Sequence, residues 1–178
     1  MKILVTGSTG RVGRAICLRL AEQHEVVGLD LAPSSTTDVV ASITDTAACR
    51  AALRGVQAVV HSAALHAPHV GHRPDQAFEA VNVEATGSLA RLAAEAGVQS
   101  FVFTSTTALY GAGSTADTRA AWIDEATVPR PLTVYHRSKL AAEAVLESLA
   151  RETGLPVTVL RMARCFPCLL YTSPSPRD

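Results

Sequence analysis

The chain has 178 residues, of which 48% are hydrophobic, and its 16 basic residues balance 16 acidic ones. That length suits one domain with a single filled core, and the balanced charge argues against a nucleic-acid or anionic-membrane surface as the main partner. No apolar run approaches the roughly 18 residues of a membrane span. The opening MKILVTGSTG reaches glycine too early for a signal peptide, and four cysteines without a secretory signal are expected as thiols in a cytoplasmic protein.

In chain order, KILVT (2–6) is a short β-rich run ending at a glycine cluster, and residues 11–23 have the spacing of an amphipathic helix. EVVGLD (25–30) reads as a second strand and DVVASI (38–43) as a third, with a short helix over 45–53. QAVVHSAA (57–64) makes a fourth strand, and a longer helix is expected from about Pro74 to Ala96, closed by Gly97. SFVFTS (100–105) is a fifth strand, residues 134–153 a helix and PVTVLRM (156–162) a sixth strand. Continuous Val/Ile/Leu strands alternating with helices predict an α/β fold, a Rossmann-type doubly wound parallel sheet covered on both faces. The 111–131 segment between the fifth strand and the next helix is long, small and polar, as expected of a loop that closes over something. It carries Trp122, which reads equally as a lid contact or as an apolar anchor.

The ending CLLYTSPSPRD lacks periodicity and resembles a translated sequencing-library transposon end. Residues 168–178 are therefore expected to be a non-native tail, and 1–167 an incomplete Rossmann-type domain. The apparent metal or redox pair Cys165-x-x-Cys168 is discounted for the same reason.

TGSTGRVGRAI places Gly7, Gly10 and Gly13 between the first strand and the first helix. Gly7 permits a sharp turn, Gly10 a close approach to a ligand, and Gly13 close packing of helix on sheet. With Thr9, Arg11 and Val12 they form a candidate diphosphate cradle at a helix N-terminus. Asp30 ends the second strand, where a carboxylate accepts from both adenosine ribose hydroxyls and repels a 2′-phosphate, favouring NAD over NADP. Its plainer role is capping a turn.

TVYHRSK sets Tyr135 one helical turn before Lys139. A free phenol titrates near pH 10 whereas a base serving neutral chemistry should sit nearer 7, a gap worth about 4 kcal/mol. A neighbouring ammonium and an oxidised nicotinamide are expected to close that gap by favouring phenolate. The fifth strand runs into FTSTTALYG, whose Ser105, Thr106 and Thr107 lie at a carboxyl end, where parallel sheets bind ligands.

In TGSTGRVG, Asp30, VVHSAA, NVEAT, FTSTTALYG and YHRSK, the sequence resembles the extended short-chain dehydrogenase/reductase family, in its NAD-dependent epimerase/dehydratase branch. The resemblance implies Thr106 as the catalytic hydroxyl, Tyr135 as acid/base and Lys139 as its partner and a ribose contact. It implies Ala63 and Ala64 as the turn passing the cofactor, Asn82 as a residue holding the site and near the cofactor, and Arg161 as part of a Leu-Arg pair in the sixth strand. It also implies a seventh strand and a C-terminal substrate domain beyond this chain, so the 178-residue polypeptide is expected to bind NAD weakly and turn over nothing. The expected partners are a small-molecule substrate, a nucleotide-sugar, and in the full-length form a second copy of the chain.

Two departures bear on this. Ala41-Ser42-Ile43 replaces the family's G-D-[IL] run, leaving Ser42 and Ile43 as weakened adenine contacts. Thr107-Ala108 replaces the Asp-Glu of the 4,6-dehydratases, which argues against elimination. The implied reaction is epimerisation or dehydrogenation of a sugar hydroxyl. Its rivals are an oxidoreductase of a non-nucleotide alcohol or ketone, and a non-catalytic dinucleotide sensor. His66, His69 and His72 are spaced three apart, but a Pro/Gly loop without carboxylate or thiol support reads as a solvated or substrate-lining segment rather than a metal site. Cys17 and Cys49 read as packing residues.

Overall fold

The computed structural model describes residues 1–111, 123–124 and 126–163. Trp122, Cys165 and the 168–178 tail lie outside them, as does most of the expected closing loop. Strands β1 (Lys2–Thr6), β2 (Glu25–Asp30), β3 (Val39–Val40), β4 (Ala58–His61), β5 (Ser100–Thr106) and β6 (Val157–Met162) form one sheet in the order 3-2-1-4-5-6. Every pairing is parallel. The order reverses between β1 and β4, and the crevice beyond their carboxyl ends is where such sheets take ligands.

Alternation along the strands sends side chains to both faces. Ile3 and Val5 pack with Ala58 against Cys17, Ile16 and Leu20 of helix α1 (Arg11–Leu20). Leu4, Leu29, Val59, Phe101 and Phe103 face the other way, into a core completed by α2 (Thr46–Ala52), α4 (Ala85–Glu95) and α5 (Val134–Thr153). Full burial of each such Leu or Phe contributes about 1.5–3 kcal/mol. Cys17 and Cys49 are free and buried, as their packing role requires.

Three elements differ from expectation. β3 stops at Val40 because the residues after it are consumed in a cap: Ser42 Oγ accepts from Thr44 N–H at 3.1 Å, and Asp45 Oδ1 accepts from Ala48 N–H at 3.0 Å to start α2. β4 ends at His61, after which Ser62 turns its hydroxyl onto the Thr6 carbonyl at 2.8 Å. The single helix expected over 74–96 is α3 (Asp75–Phe78), a π-helical turn (Glu79–Glu84) and α4, closed by Gly97 at φ +74°. α5 has the expected bounds, with the Thr133 side chain capping His136 N–H and Gly154 in the left-handed region at its end.

The long loop is pinched shut at its base. Arg130 N–H donates to the Leu109 carbonyl at 2.8 Å, and Gly111, at φ +63°, leaves room for the Arg130 carbonyl where a Cβ would stand.

Candidate active site

Gly7 sits at φ +72°, and a Cβ there would lie 2.8 Å from the Ala63 nitrogen, so the turns after β1 and β4 pass each other at backbone distance. Gly13 does a different job from the one expected. A Cβ on it would strike the Gly7 carbonyl and come within 2.9 Å of Ser62 Oγ, so it seats the helix on the turn rather than on the sheet. Gly10 is the N-cap of α1; it offers no side-chain cap, and the first turn, Arg11 and Val12 onward, holds no acidic residue. That leaves the first-turn N–H groups without an acidic side chain from the helix itself, with Arg11 adding a cation. An anionic diphosphate fits the donor chemistry of this turn, whose close backbone packing at Gly7 and Gly13 leaves no room for a side chain.

The Asp30 carboxylate is tied to the same turn. Its Oδ2 accepts from Thr9 N–H at 3.0 Å and its Oδ1 from Ala32 N–H at 3.3 Å. Each oxygen keeps acceptor capacity for a ribose hydroxyl, so the turn-capping and ribose roles are compatible. The segment after Asp30 lies on the cradle through Ser8 Oγ to Thr37 Oγ1 at 2.9 Å and Thr36 Oγ1 to the Ser8 carbonyl at 2.8 Å. Gly28, which the sequence reading passed over, makes room for the Thr36 carbonyl, and its N–H donates to Asp38 Oδ2 at 2.8 Å.

The adenine contacts fare unevenly. Ser42 shares its hydroxyl with Thr44 at 2.7 Å, while the Ile43 side chain is buried in the core and is not presented as a ligand contact.

Thr106 ends β5 opposite Met162, and its Oγ1 accepts from Ala108 N–H at 3.1 Å, capping a 3-10 turn over Thr107–Tyr110. Tyr135, in the first turn of α5, stands near enough to this hydroxyl for Thr106 to influence its phenol, so the end of β5 faces the start of α5. Burial raises the Tyr135 phenol above its ordinary value, with the Thr106 hydrogen bond pulling weakly downward. Lys139 is not among the causes of that shift. Lys139 Nζ donates instead to the Thr104 carbonyl at 2.6 Å and lies 3.8 Å over the Phe103 ring, 2% exposed. Burial brings this ammonium down to about 7, against a raising influence from Glu143.

Asn82, expected to hold the site and to lie near the cofactor, braces the turn after β4 against α5. It is buried, and its amide exchanges 2.8 Å hydrogen bonds with both backbone groups of Leu65 while donating to Ser138 Oγ at 2.9 Å. Ser138 in turn donates to the Tyr135 carbonyl at 2.9 Å. Engaged by protein through both its amide atoms, Asn82 positions the turn after β4 and the helix carrying Tyr135. Ala63 N–H donates to Thr6 Oγ1 at 3.3 Å, fixing the Ala63-Ala64 turn beside Gly7.

Two buried polar groups were not foreseen. His61 is fully buried, its Nδ1 2.6 Å from Thr6 Oγ1 and its Nε2 2.8 Å from Thr86 Oγ1, with its ring stacked on Phe103 at 5.6 Å. Burial, then Lys139, push it down to about 3, so it is neutral at ordinary pH. The Glu143 carboxylate accepts a short hydrogen bond from Ser105 and a forked pair from Arg161, whose Nη1 reaches Tyr110 Oη at 2.7 Å. The K-x-x-x-E spacing after Tyr135 was the available signal for it. Among the described residues no metal cluster forms; the His66 and His69 rings meet edge to face at 4.6 Å, closing a 3-10 turn (Ala67–His69).

A parallel sheet of this order, with a glycine cradle at its reversal point and a Thr–Tyr–Lys set across the crevice, defines a Rossmann-type nucleotide-binding fold of the short-chain dehydrogenase/reductase kind. More narrowly, the chain belongs to the NAD dependent epimerase/dehydratase family, whose model matches residues 3–166. It is 31% identical over 164 residues to an NAD-dependent glucose-6-phosphate dehydrogenase of Haloferax volcanii, covering 80% of this chain and 60% of that protein. Among solved structures it is similar to a short-chain dehydrogenase/reductase superfamily protein from Agrobacterium tumefaciens with bound NAD, at 34% identity and TM-score 0.79, covering 90% of this chain and 48% of that one. It is also similar to a UDP-glucose 4-epimerase from Thermotoga maritima with UDP-glucose, at 28% identity and TM-score 0.80, covering 90% and 55%. The chain thus spans about half to three fifths of the proteins it matches. No described helix is long and apolar enough to cross a membrane.

Proposed function

We propose that this chain is the dinucleotide-binding part of an NAD-dependent oxidoreductase that acts on a hydroxyl of a sugar or nucleotide-sugar. The observation that carries the reading is the meeting of Thr106, at the carboxyl end of β5, with Tyr135 in the first turn of α5 and with Lys139 one turn further on, seated against the Thr104 carbonyl. The cradle of Gly7, Thr9, Gly10, Arg11, Val12 and Gly13 would hold the diphosphate, and Asp30 the adenosine ribose. Ala63 and Ala64 would border the cofactor, with Ser42 near the adenine. Bound NAD supplies a hydride acceptor and, in its oxidised form, a positive charge that favours phenolate.

The remaining work falls to the protein. Tyr135 takes the proton of the substrate hydroxyl, and Thr106 both orients that hydroxyl and donates to the phenol oxygen. Lys139 is already partly desolvated and stripped of water, so releasing the Thr104 carbonyl frees a strong donor for the ribose or the phenol. Epimerisation returns the hydride to the opposite face, whereas net dehydrogenation lets the oxidised sugar leave. The likeness to a glucose-6-phosphate dehydrogenase favours keeping the second outcome in view.

In a version of the protein as long as its relatives, Tyr135→Phe should lower turnover by at least 10²-fold while leaving NAD affinity within about twofold, a general base being worth 10²–10⁴. Unchanged turnover would remove Tyr135 from the role.

A further inference from the structure

We infer that Glu143 is a positioning residue of this site: its carboxylate, fixed by Ser105 and Arg161, is the counter-charge that keeps Lys139 protonated in its seat against β5. The inference rests on the reading of Lys139 as part of the catalytic set. Glu143 stands one helical turn beyond Lys139 on α5, hence on the same side of the helix. Its carboxylate is held from two strands at once. Ser105 and Arg161 are register partners in β5 and β6, the serine hydroxyl donating to Oε1 and the guanidinium to Oε2 at 2.7 Å through Nη2 and to both oxygens at 3.2 Å through Nε. Arg161 is anchored in its turn by Tyr110 Oη at 2.7 Å. A carboxylate so fixed, with its side chain 11% exposed, cannot swing out to solvent and loses little of its field to screening.

The groups facing Lys139 make that field decisive. From β5 come the Thr104 carbonyl and the Phe103 ring face, both favourable to an ammonium but neither charged. From β4 comes His61, which burial keeps neutral. From β6 comes Arg161, a like charge already forked onto Glu143. Within α5, Tyr135 is un-ionised at neutral pH, and Glu143 is the group that opposes desolvation of the lysine. Remove it, and burial drives Lys139 to the neutral amine at the pH where the site should work.

The chain has two lysines, Lys2 and Lys139, so selective ¹³Cε-lysine labelling gives two resonances, with half-exposed Lys2 as an internal standard. Titrating the 178-residue chain without cofactor or substrate should show Lys139 with a midpoint far below the ordinary lysine value. In Glu143→Gln that midpoint should fall by about one further unit, a tenfold rise in acidity, with Lys2 unmoved. Ser105→Ala keeps both charges and the helix intact but removes one of the two supports of the carboxylate, leaving the Arg161 fork, and should move Lys139 the same way by about threefold. An unshifted Lys139 midpoint in the folded Glu143→Gln chain, or in Ser105→Ala should the first variant not fold, overturns the inference. A purely structural salt bridge would leave the midpoint in place. Because no turnover is measured, failure here leaves the Tyr135→Phe result untouched, and the reverse also holds.

Discussion

His61 makes the fold sensitive to acid in a way that can be calculated. Its ring is held between Thr6 and Thr86 with no solvent contact, and burial lowers it from 6.5 to about 3. Between those two values the unfolded chain binds a proton that the folded chain refuses, so stability is complete above pH 6.5 and drains away as pH falls toward 3. At 1.36 kcal/mol per unit, the loss attributable to this one residue is about 3 kcal/mol at pH 4 and about 5 kcal/mol near pH 3. A domain of this size has about 5–15 kcal/mol in all, so the effect is a large share. Replacing His61 by Gln keeps a neutral polar side chain but deletes the titration. Urea unfolding followed by circular dichroism at pH 7, 5.5 and 4 should give the wild-type chain a steeper fall than His61→Gln, by about 3 kcal/mol over that span. Carboxylates contribute equally to both chains and cancel in the difference. Parallel pH dependences would show that the ring is protonated inside the fold and that its burial has been misjudged.

Gly13→Ala should destabilise the chain by about 1–3 kcal/mol in urea melts, since its Cβ would strike the Gly7 carbonyl oxygen and lie 2.7 Å from the carbonyl carbon, where backbone cannot easily yield; a change under about 0.5 kcal/mol would contradict that packing. Asn82→Ala should cost about 3–5 kcal/mol, because it strands both Leu65 backbone groups and Ser138 Oγ; retention of wild-type stability would mean that water replaces the amide. Asp30→Ala, made in a full-length version, should narrow the preference for NAD over NADP by at least tenfold, measured by cofactor titration, and an unaltered ratio would remove Asp30 from the ribose.

The parallel sheet was legible because each strand is a compact Val/Ile/Leu run stopped by glycine or a polar cap, and α5 was bounded correctly by Thr133 and Gly154. The cradle was legible for the same reason, three glycines being hard to explain otherwise at the junction of β1 and α1. What escaped was long-range or competitive. β3 was read too long because the hydroxyl of Ser42 and the carboxylate of Asp45 outbid the ladder for backbone partners. His61 looked like part of an apolar strand, and nothing local shows that Thr86, 25 residues on, will take its second nitrogen. The effect of Lys139 on Tyr135 was inferred from helical spacing alone; spacing puts two residues on one side of a helix but cannot say that a carbonyl on β5 claims the ammonium first.

The π-turn over Glu79–Glu84 closes with Ala85 N–H on the Ala80 carbonyl, one residue more than an α-turn would use. Each residue of an α-helix advances about 100° around the axis, so the surplus one sets the rotational phase between the start of this segment and everything after it. Smoothing the coil by excising that residue would improve its ladder of bonds and turn Asn82 out of line with Leu65 or Thr86 out of line with His61. Regularity here is an engineering hazard: a redesign that scores every turn for ideal geometry would straighten the rod and mis-aim the parts bolted to it.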